Sequence, residues 1–329
     1  MHLIIETEDP LKVLSSTKPI VENLHSISIH EEKLSELAAI IAKKLQDGFD
    51  LGEATAGQTT NLTDAVQIIF LQDVVNFCFW AEKDKEKWKI EWPKGTITSG
   101  GEFSLRKCFH RALVEKVSIL DADYLENITF EQTQHLFRGA SATTIPLLKE
   151  RWQNLREAGK VLNEKYNGKF IHLVEAADYD AVKIITLLSQ DFSSFKDITP
   201  WQNKEIYFLK RAQLCVKDIA SLERKYSEFH IKNTNVLTAF ADYKLPQMFR
   251  KYGVISFTTD LAQKVDNYVL IPSRSREEIE IRCVTIWCIE LIRQKLKKYE
   301  ATDLAYALWL ISQNQSGVKP YHRTYSIYY

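Results

Sequence analysis

The chain has 329 residues, of which 45% are hydrophobic, 11 are glycine and 8 are proline, so it is long enough to bury a large core and has a globular composition. Its 43 basic and 43 acidic residues give a formal charge of zero, which argues against a strongly cationic nucleic-acid-binding domain. The sequence lacks a signal-peptide pattern and any apolar run near the roughly 18 residues of a membrane span. We therefore expect a soluble, cytoplasmic protein with no membrane partner, and the nucleus is a second location.

The first predicted elements are an amphipathic helix and two short strands. In EEKLSELAAIIAKKLQDGF, residues 31–49, four apolar side chains form one stripe opposite polar residues, and Gly48 ends the helix. These side chains are Leu34, Leu37, Ile41 and Leu45. Strand-like residues occur in ISI near Ile27 and in KWKIEWP, residues 87–93.

The stretch TSGGEF, residues 98–103, separates the second strand from a helix predicted to begin near Ser104. Its paired glycines either form a tight strand-to-helix turn or offer backbone N–H groups to a ligand. The turn is the simpler explanation.

Two further helices are predicted in the middle of the chain. TTIPLLKERWQNLREAGKVLNEKY, residues 143–166, has helical apolar spacing, and Pro146 suits the first turn. NKEIYFLKRAQLCVKDIASLERKY, residues 203–226, continues the helical spacing from Ile206 onwards.

The stretch FADYKLPQMFRKYG places an acid just ahead of a predicted short helix. Pro246 disfavours helical geometry at Leu245 and suits the first turn of a helix that extends to about Tyr252. Asp242 would then lie near free backbone N–H groups and the positive end of a helix dipole, which favour an ionised carboxylate. The alternative is an ordinary polar residue at a helix junction.

The most informative helix is predicted in SREEIEIRCVTIWCIELIRQKLKKYE, residues 275–300, because its later turns are apolar almost all round. Ser275 and Glu278 form a capping box at its start. Glu280 is either a partly buried acid or a first-turn glutamate that interacts with the helix dipole, and we take the second interpretation. The last residues, SIYY, are predicted to form a strand.

Together these elements predict a mainly α fold, with residues 1–329 forming a single compact helical domain that contains a few short strands. The usual phosphate-binding, dinucleotide-binding and esterase motifs are missing. The five cysteines and eight histidines are dispersed, so no metal site is expected. Four clusters of polar and aromatic residues remain, and four in one chain indicate a ligand site. They are NFCFW at 76–80, FLKRAQL at 208–214, FADYKLPQ at 240–247 and HRTYSIYY at 322–329.

In their order and approximate spacing, these clusters and several longer stretches resemble the queuosine salvage proteins, which are queuosine 5'-phosphate N-glycosylases. The longer stretches are SGGEFSLRKCFHRAL, IPLLKERWQNLREAGKVL, LTAFADYKLPQMF, EEIEIRCVTIWCIE and PYHRTYSIYY. The resemblance covers most of the chain. It implies a helical fold related to the helix-hairpin-helix DNA glycosylases and hydrolysis of queuosine 5'-monophosphate. The product would be queuine, a 7-deazaguanine base used to modify tRNA, and no cofactor is expected.

The resemblance also implies roles for the FADY motif. Asp242 is the expected catalytic residue, Phe240 is expected to line the base site, and Tyr243 is a further substrate-binding candidate. Breaking a bond between ribose and a base develops positive charge on the sugar, and a fixed carboxylate can stabilise it, direct a water or attack the anomeric carbon.

Three cationic or potentially cationic residues are candidates near the sugar phosphate. Lys210 matches a lysine of the family motif and would hold Asp242 ionised or meet the phosphate, unless it lies on a solvated helix face. His322 and Arg323 are phosphate partners or anchors of the C-terminal tail.

Asp303, in TDLAYALW, lies where the family has acidic and aromatic residues near its C-terminal helix, so it is a candidate contact for the cationic amine of queuine. This chain has Ala305 and Ala307 there, which leaves that contact open.

The last candidates come from the N-terminal half. His25 is a candidate ligand contact, with His30 as its rival and a surface position as the alternative. Asn76 and Trp80 would bound the pocket, unless Trp80 belongs to the core.

Two other functions compete with hydrolysis of a nucleotide. A nucleic-acid base glycosylase fits the implied fold relationship, but the zero net charge opposes it, and no stable nucleic-acid complex is expected. A non-catalytic protein that binds a modified base would have less need of a carboxylate facing the sugar.

Overall fold

The computed structural model describes residues 3–48, 59–313 and 315–329. Over these residues the fold is mainly α, as the sequence predicts, and its few short strands pair two by two in antiparallel sheets. The helices are α1 Val13–Val21, α2 Glu31–Gln46, α3 Leu62–Val74, α4 Gly101–Val114, α5 Ala122–Asn127, α6 Phe130–Leu136, α7 Leu148–Lys165, α8 Ile171–Ala176, α9 Ala181–Asp191, α10 Lys210–Ala220, α11 Lys244–Lys251, α12 Thr259–Asp266, α13 Arg276–Lys295 and α14 Ala301–Gln313. The strands are β1 Ile27–Ile29, β2 Lys89–Glu91, β3 Ile97–Ser99, β4 Ile198–Trp201, β5 Lys204–Tyr207 and β6 Ile255–Phe257.

The core is organised around α13, which contacts α1, α2, α11 and α14. Its apolar residues are buried on all sides, and the indole N–H of Trp287 donates a 3.0 Å hydrogen bond to Thr17 Oγ1 on α1. Ser275 caps the helix by accepting a hydrogen bond from the N–H of Glu278. The predicted capping box is only half formed, because the Glu278 carboxylate accepts the N–H of Arg274 instead of that of Ser275.

Glu280 is fully buried, so the interpretation as a first-turn glutamate serving the helix dipole was wrong. Its carboxylate accepts the backbone N–H groups of His25 at 3.1 Å and Ser26 at 2.8 Å, just before β1. Strand β1 in turn pairs with β6, with Ile27 opposite Phe257. Glu280 therefore ties the N-terminal segment to the central helix.

Two predicted helix starts were misplaced, and a left-handed residue stands at each true start. Leu147 has a φ of 52°, so α7 begins after it and Pro146 lies outside the first turn. Leu209 has a φ of 51°, and the residues before it form a hairpin of β4 and β5 rather than helix. Ile206, predicted as helical, is a buried residue of β5.

The other local predictions had mixed outcomes. The strands near Ile27 and in KWKIEWP are confirmed, and so is the helix from Glu31, although Phe49 lies outside the described residues. The glycine stretch is a tight strand-to-helix turn, with α4 beginning at Gly101 rather than near Ser104. The terminal SIYY is not a strand, because its last carbonyl accepts the N–H of Cys78 outside any sheet. In the described part of the chain, every helix is too short or too polar to cross a bilayer.

Candidate active site

Two cavities lie next to each other around the FADY segment. The narrow cavity, of about 60 Å³, is lined by Asp242, and the wide cavity, of about 560 Å³, is lined by Phe240 two residues earlier. An ion pair joins their walls, since Glu102 lines the narrow cavity and its partner Arg106 lines the wide one. The two cavities therefore lie on either side of this ion pair.

Asp242 lies in the turn just before α11, and its Oδ1 accepts the N–H groups of Lys244 at 2.8 Å and Leu245 at 3.1 Å. The predicted contact with free N–H groups is confirmed. The helix starts at Lys244, so the prediction that Leu245 is non-helical was wrong; Pro246 is tolerated because first-turn N–H groups lack intrahelical partners. Both hydrogen bonds go to Oδ1, so Oδ2 has no hydrogen bond to any described residue.

The electrostatic environment of Asp242 has opposing contributions. Burial raises the pKa of Asp242, whereas the Lys210 cation and the two backbone N–H groups lower it. The helix-dipole argument from sequence included only the second kind of contribution. The carboxylate is therefore a stronger base than a solvent-exposed aspartate.

Lys210 is the first residue of α10 and shares the narrow cavity with Asp242. It is 7% exposed, so it does not lie on a solvated helix face. Its backbone N–H donates to Asp197 Oδ2 at 3.1 Å. Burial lowers the pKa of the Lys210 ammonium, and the nearby carboxylates of Asp242, Asp73 and Glu102 raise it.

Four of the other candidates also line the two cavities. Asn76 and Tyr243 join Asp242 in the narrow cavity, and Asn76 donates to Asp73 Oδ1 at 3.2 Å. Phe240 and Asp303 line the wide cavity, where Lys217 lies 3.0 Å from the Asp303 carboxylate.

Three candidates from the N-terminal half, His25, His30 and Trp80, lie outside the lining of both cavities. His25 is exposed and lines neither cavity, which agrees with the surface alternative. His30 precedes α2 and contacts Ser256 Oγ at 2.8 Å. Trp80 is 2% exposed and packs against the Tyr325 ring, so it belongs to the core.

The two C-terminal candidates are also held inside the protein. His322 is buried beside Tyr329, and burial together with the Arg282 cation lowers the pKa of its imidazole to about 3. A neutral, enclosed imidazole does not attract a phosphate, which corrects that expectation. Arg323 donates from Nε to the carbonyl of Ala81 at 3.1 Å and so anchors the tail.

Two further carboxylates near Lys210 were missed by the sequence reasoning. Asp73 is 1% exposed, its Oδ2 has no hydrogen-bond partner among the described residues, and burial together with Asp218 raises its pKa. Burial raises the pKa of Asp218 to about 6, although Arg106 lowers it. The available signal was a carboxylate inside the apolar run IIFLQDVV, since a buried acid needs a specific partner.

Two buried arginines fix the segment 73–78, which carries Asn76 and Phe77 into the narrow cavity. Arg151 donates to the carbonyl groups of residues 75, 77 and 78, and Arg211 donates to those of residues 73 and 74. These carbonyls lie where α3 ends, so they need donors from outside the helix.

The arrangement suits chemistry at a centre that becomes positively charged. In the narrow cavity one oxygen of the Asp242 carboxylate is fixed by N–H groups, the other has no hydrogen bond to any described residue, and Lys210 lines the same cavity. The described residues contain no group of histidine, cysteine, aspartate or glutamate side chains able to hold a metal ion.

Comparison with known proteins finds relatives along most of the chain. Residues 56–329 match the family model described as queuosine salvage protein. A Bos taurus protein named queuosine 5'-phosphate N-glycosylase/hydrolase is 34% identical over 281 residues, which cover 80% of this chain and 82% of the relative. Proteins of the same name from Sphaerobacter thermophilus and Mus musculus are 32% and 30% identical, covering 98% and 97% of this chain and 98% and 99% of the relatives.

Proposed function

The chain belongs to the queuosine salvage protein family, and from this premise we propose that it hydrolyses the N-glycosidic bond of queuosine 5'-monophosphate to release queuine. The observation that carries the proposal is Asp242, which lines the narrow cavity and whose Oδ2 accepts no hydrogen bond from any described residue. A fixed carboxylate at that place is what cleavage beside a ribose requires.

The reaction breaks the bond between C1' of ribose and the ring nitrogen of the base. As this bond lengthens, positive charge develops on the sugar, and the ionised Oδ2 of Asp242 stabilises it, orients a water or attacks C1'. A deazapurine lacks the N7 that many purine glycosylases protonate. More of the barrier must therefore be lowered from the sugar side, where Asp242 acts.

The wide cavity suits the base. Phe240 offers an aromatic surface, and the carboxylates of Glu300 and Asp303 lie at its wall. The amine of queuine is cationic at neutral pH, so carboxylates at this end attract it. Lys217 now contacts both carboxylates, at 2.8 Å and 3.0 Å, and would share them with the ligand.

We further propose that the protein acts on a free nucleotide and forms no stable nucleic-acid complex. Its proposed location is the cytoplasm, with the nucleus as a second location. Residues 1–329 would form one catalytic domain, which is supported by the contacts of α13 with N-terminal and C-terminal helices. A relationship to the helix-hairpin-helix DNA glycosylases stays a prediction.

The test is mass-spectrometric detection of queuine after incubation with queuosine 5'-monophosphate. We expect release by the wild type, loss of release by Asp242→Asn, and full release by the control Asp260→Asn, whose side chain is 73% exposed on α12. The amide keeps the size of the carboxylate and removes its charge.

Each other outcome identifies a specific error. Similar release by wild type and Asp242→Asn would disprove the catalytic assignment while keeping the reaction. Tight binding without release would favour a modified-base binding protein. A salt-sensitive mobility shift on duplex DNA or tRNA would favour a nucleic-acid glycosylase.

A further inference from the structure

Three cations surround one aromatic ring beside the narrow cavity. The Nζ atoms of Lys244 and Lys87 lie 5.3 Å and 6.0 Å from the centroid of the Tyr321 ring, and Cζ of Arg323 lies 5.1 Å from it. These residues come from α11, from the segment before β2 and from the C-terminal tail. The fold therefore brings three positive charges from distant parts of the chain to one place.

The described residues compensate the cluster only in part: the Asp242 carboxylate raises the pKa of Lys244, and no carboxylate raises that of Lys87. Among the described residues no carboxylate lies within ion-pair distance of any of the three cations, and Nη1 of Arg323 is buried without a hydrogen-bond partner. The cations repel one another: after burial, Lys87 is the main influence that lowers the pKa of Lys244, and Arg323 lowers that of Lys87. In a chain with no net charge, this is an unbalanced site for an anion.

The cluster is fixed relative to the reacting atoms. Lys244 lines the narrow cavity together with Asp242, and the backbone N–H of Lys244 donates to Asp242 Oδ1. In a nucleoside 5'-monophosphate the phosphate is separated from C1' by the width of the ribose. We propose that Lys244 and Lys87 bind the 5'-phosphate of the substrate, with Arg323 supplying a third charge beside Tyr321.

This assignment rests on the proposed function and gives the substrate a direction in the site. The dianionic phosphate lies at the Lys244 side, the ribose lies over Asp242, and the cationic base points into the wide cavity lined by Glu300 and Asp303. The phosphate then meets the lysines, and the amine of the base meets the Glu300 and Asp303 carboxylates, which it shares with Lys217.

Lys210 is the rival phosphate ligand, and its surroundings argue against it. The carboxylates of Asp242, Asp73 and Glu102 already compensate its charge. A phosphate bound at Lys210 would meet all three carboxylates. Among the described residues, Asp242 is the one carboxylate that raises the pKa of Lys244, and none raises the pKa of Lys87. Lys210 therefore serves the carboxylate and the other two lysines serve the phosphate.

The test measures dissociation constants of queuosine 5'-monophosphate and of queuosine in an Asp242→Asn background, so that hydrolysis is not needed. We define the ratio as the dissociation constant of queuosine divided by that of queuosine 5'-monophosphate, so it measures the preference for the nucleotide. We expect this ratio to fall about tenfold for Lys87→Met or Lys244→Met and about 100-fold for the double variant. The preference for the nucleotide should also weaken as salt is raised. Lys85→Met, an exposed lysine of the segment that carries Lys87, is the control and should keep the ratio.

The outcomes separate the two proposals. An unchanged ratio in the double variant, with its melting temperature intact, would overturn the phosphate site even if wild-type protein releases queuine. If the double variant lost the preference for the nucleotide but wild-type protein released no queuine, the phosphate site would stand and the proposed hydrolysis would be overturned. If Lys210→Met were the one variant that lost the preference for the nucleotide, the phosphate would be assigned to Lys210 instead.

Discussion

Replacing Arg282 with methionine should weaken both the fold and the catalytic step. The guanidinium donates to both oxygens of Asp197, at 2.9 Å and 2.6 Å, and Nε donates to the carbonyl of Ala241 at 3.4 Å. Both side chains of the ion pair are 2% exposed. Because Asp197 also accepts the N–H of Lys210, this one arginine connects the starts of the segments that carry Lys210 and Asp242.

The magnitude follows from burial. Removing one partner of a buried ion pair leaves the other charge uncompensated and costs about 3–5 kcal/mol. Domains are stable by about 5–15 kcal/mol, so Arg282→Met should remain folded with a reduced free energy of unfolding. In the wild type, Cζ of Arg282 lies 3.8 Å from the centroid of the Phe208 ring, and methionine keeps part of this packing. The loss is therefore mainly electrostatic.

Urea denaturation measures this loss, with Lys295→Met as the control on the same helix. Lys295 is the last residue of α13, is exposed and forms no ion pair with any described residue, so its substitution should cost less than about 1 kcal/mol. Equal losses in the two variants would refute the reasoning. In the folded fraction of Arg282→Met, kcat should fall by about 100-fold with a smaller change in KM, since misplacement near 1 Å has this effect.

Three other substitutions or conditions test the site. Because the pKa of Asp242 is raised, kcat should increase with pH along an acidic limb above the ordinary aspartate value of 3.8, and a limb at or below that value would contradict the burial argument. The raised pKa of Asp73 stabilises the fold at low pH, and this stabilisation is lost as the pH rises through the folded pKa; Asp73→Asn should therefore flatten the pH dependence of unfolding and keep or raise stability at neutral pH. Gly101→Ala would place a methyl group inside the Phe79 ring, which lines the narrow cavity, so kcat/KM should fall; unchanged kinetics would mean that Phe79 moves freely.

Sequence periodicity was sufficient where burial follows a simple repeat. The stripe of α2 and the apolar faces of α13 are visible in the sequence because helical spacing places those residues on the same side. The start of α10 was not visible, since the left-handed conformation of Leu209 has no residue signature and KEIY has helical apolar spacing although it forms a strand. Local pattern therefore predicts element interiors better than their ends.

The candidate site was only partly predictable, because its charges come from separate elements. Asp242 could be placed from the proline that follows it and from the family resemblance. The environment of Lys210 could not, since its partner Asp73 lies on α3 and meets it only in the folded chain. His322 shows the converse, because a histidine beside an arginine in sequence suggests a cationic pair, whereas folding encloses the imidazole and makes it neutral.

Buried guanidinium groups explain how irregular segments are held to the precision that catalysis needs. The site lies mostly on backbone outside regular structure, where free carbonyl groups must find donors. Arg151 on α7 and Arg211 on α10 supply them to segment 73–78, and Arg282 on α13 supplies one to the segment before Asp242. A guanidinium has five donors in a rigid plane, so one side chain can fix several carbonyls in defined directions, which a lysine ammonium cannot do. Through these hydrogen bonds, the helices hold the loops that carry the reacting groups in fixed positions.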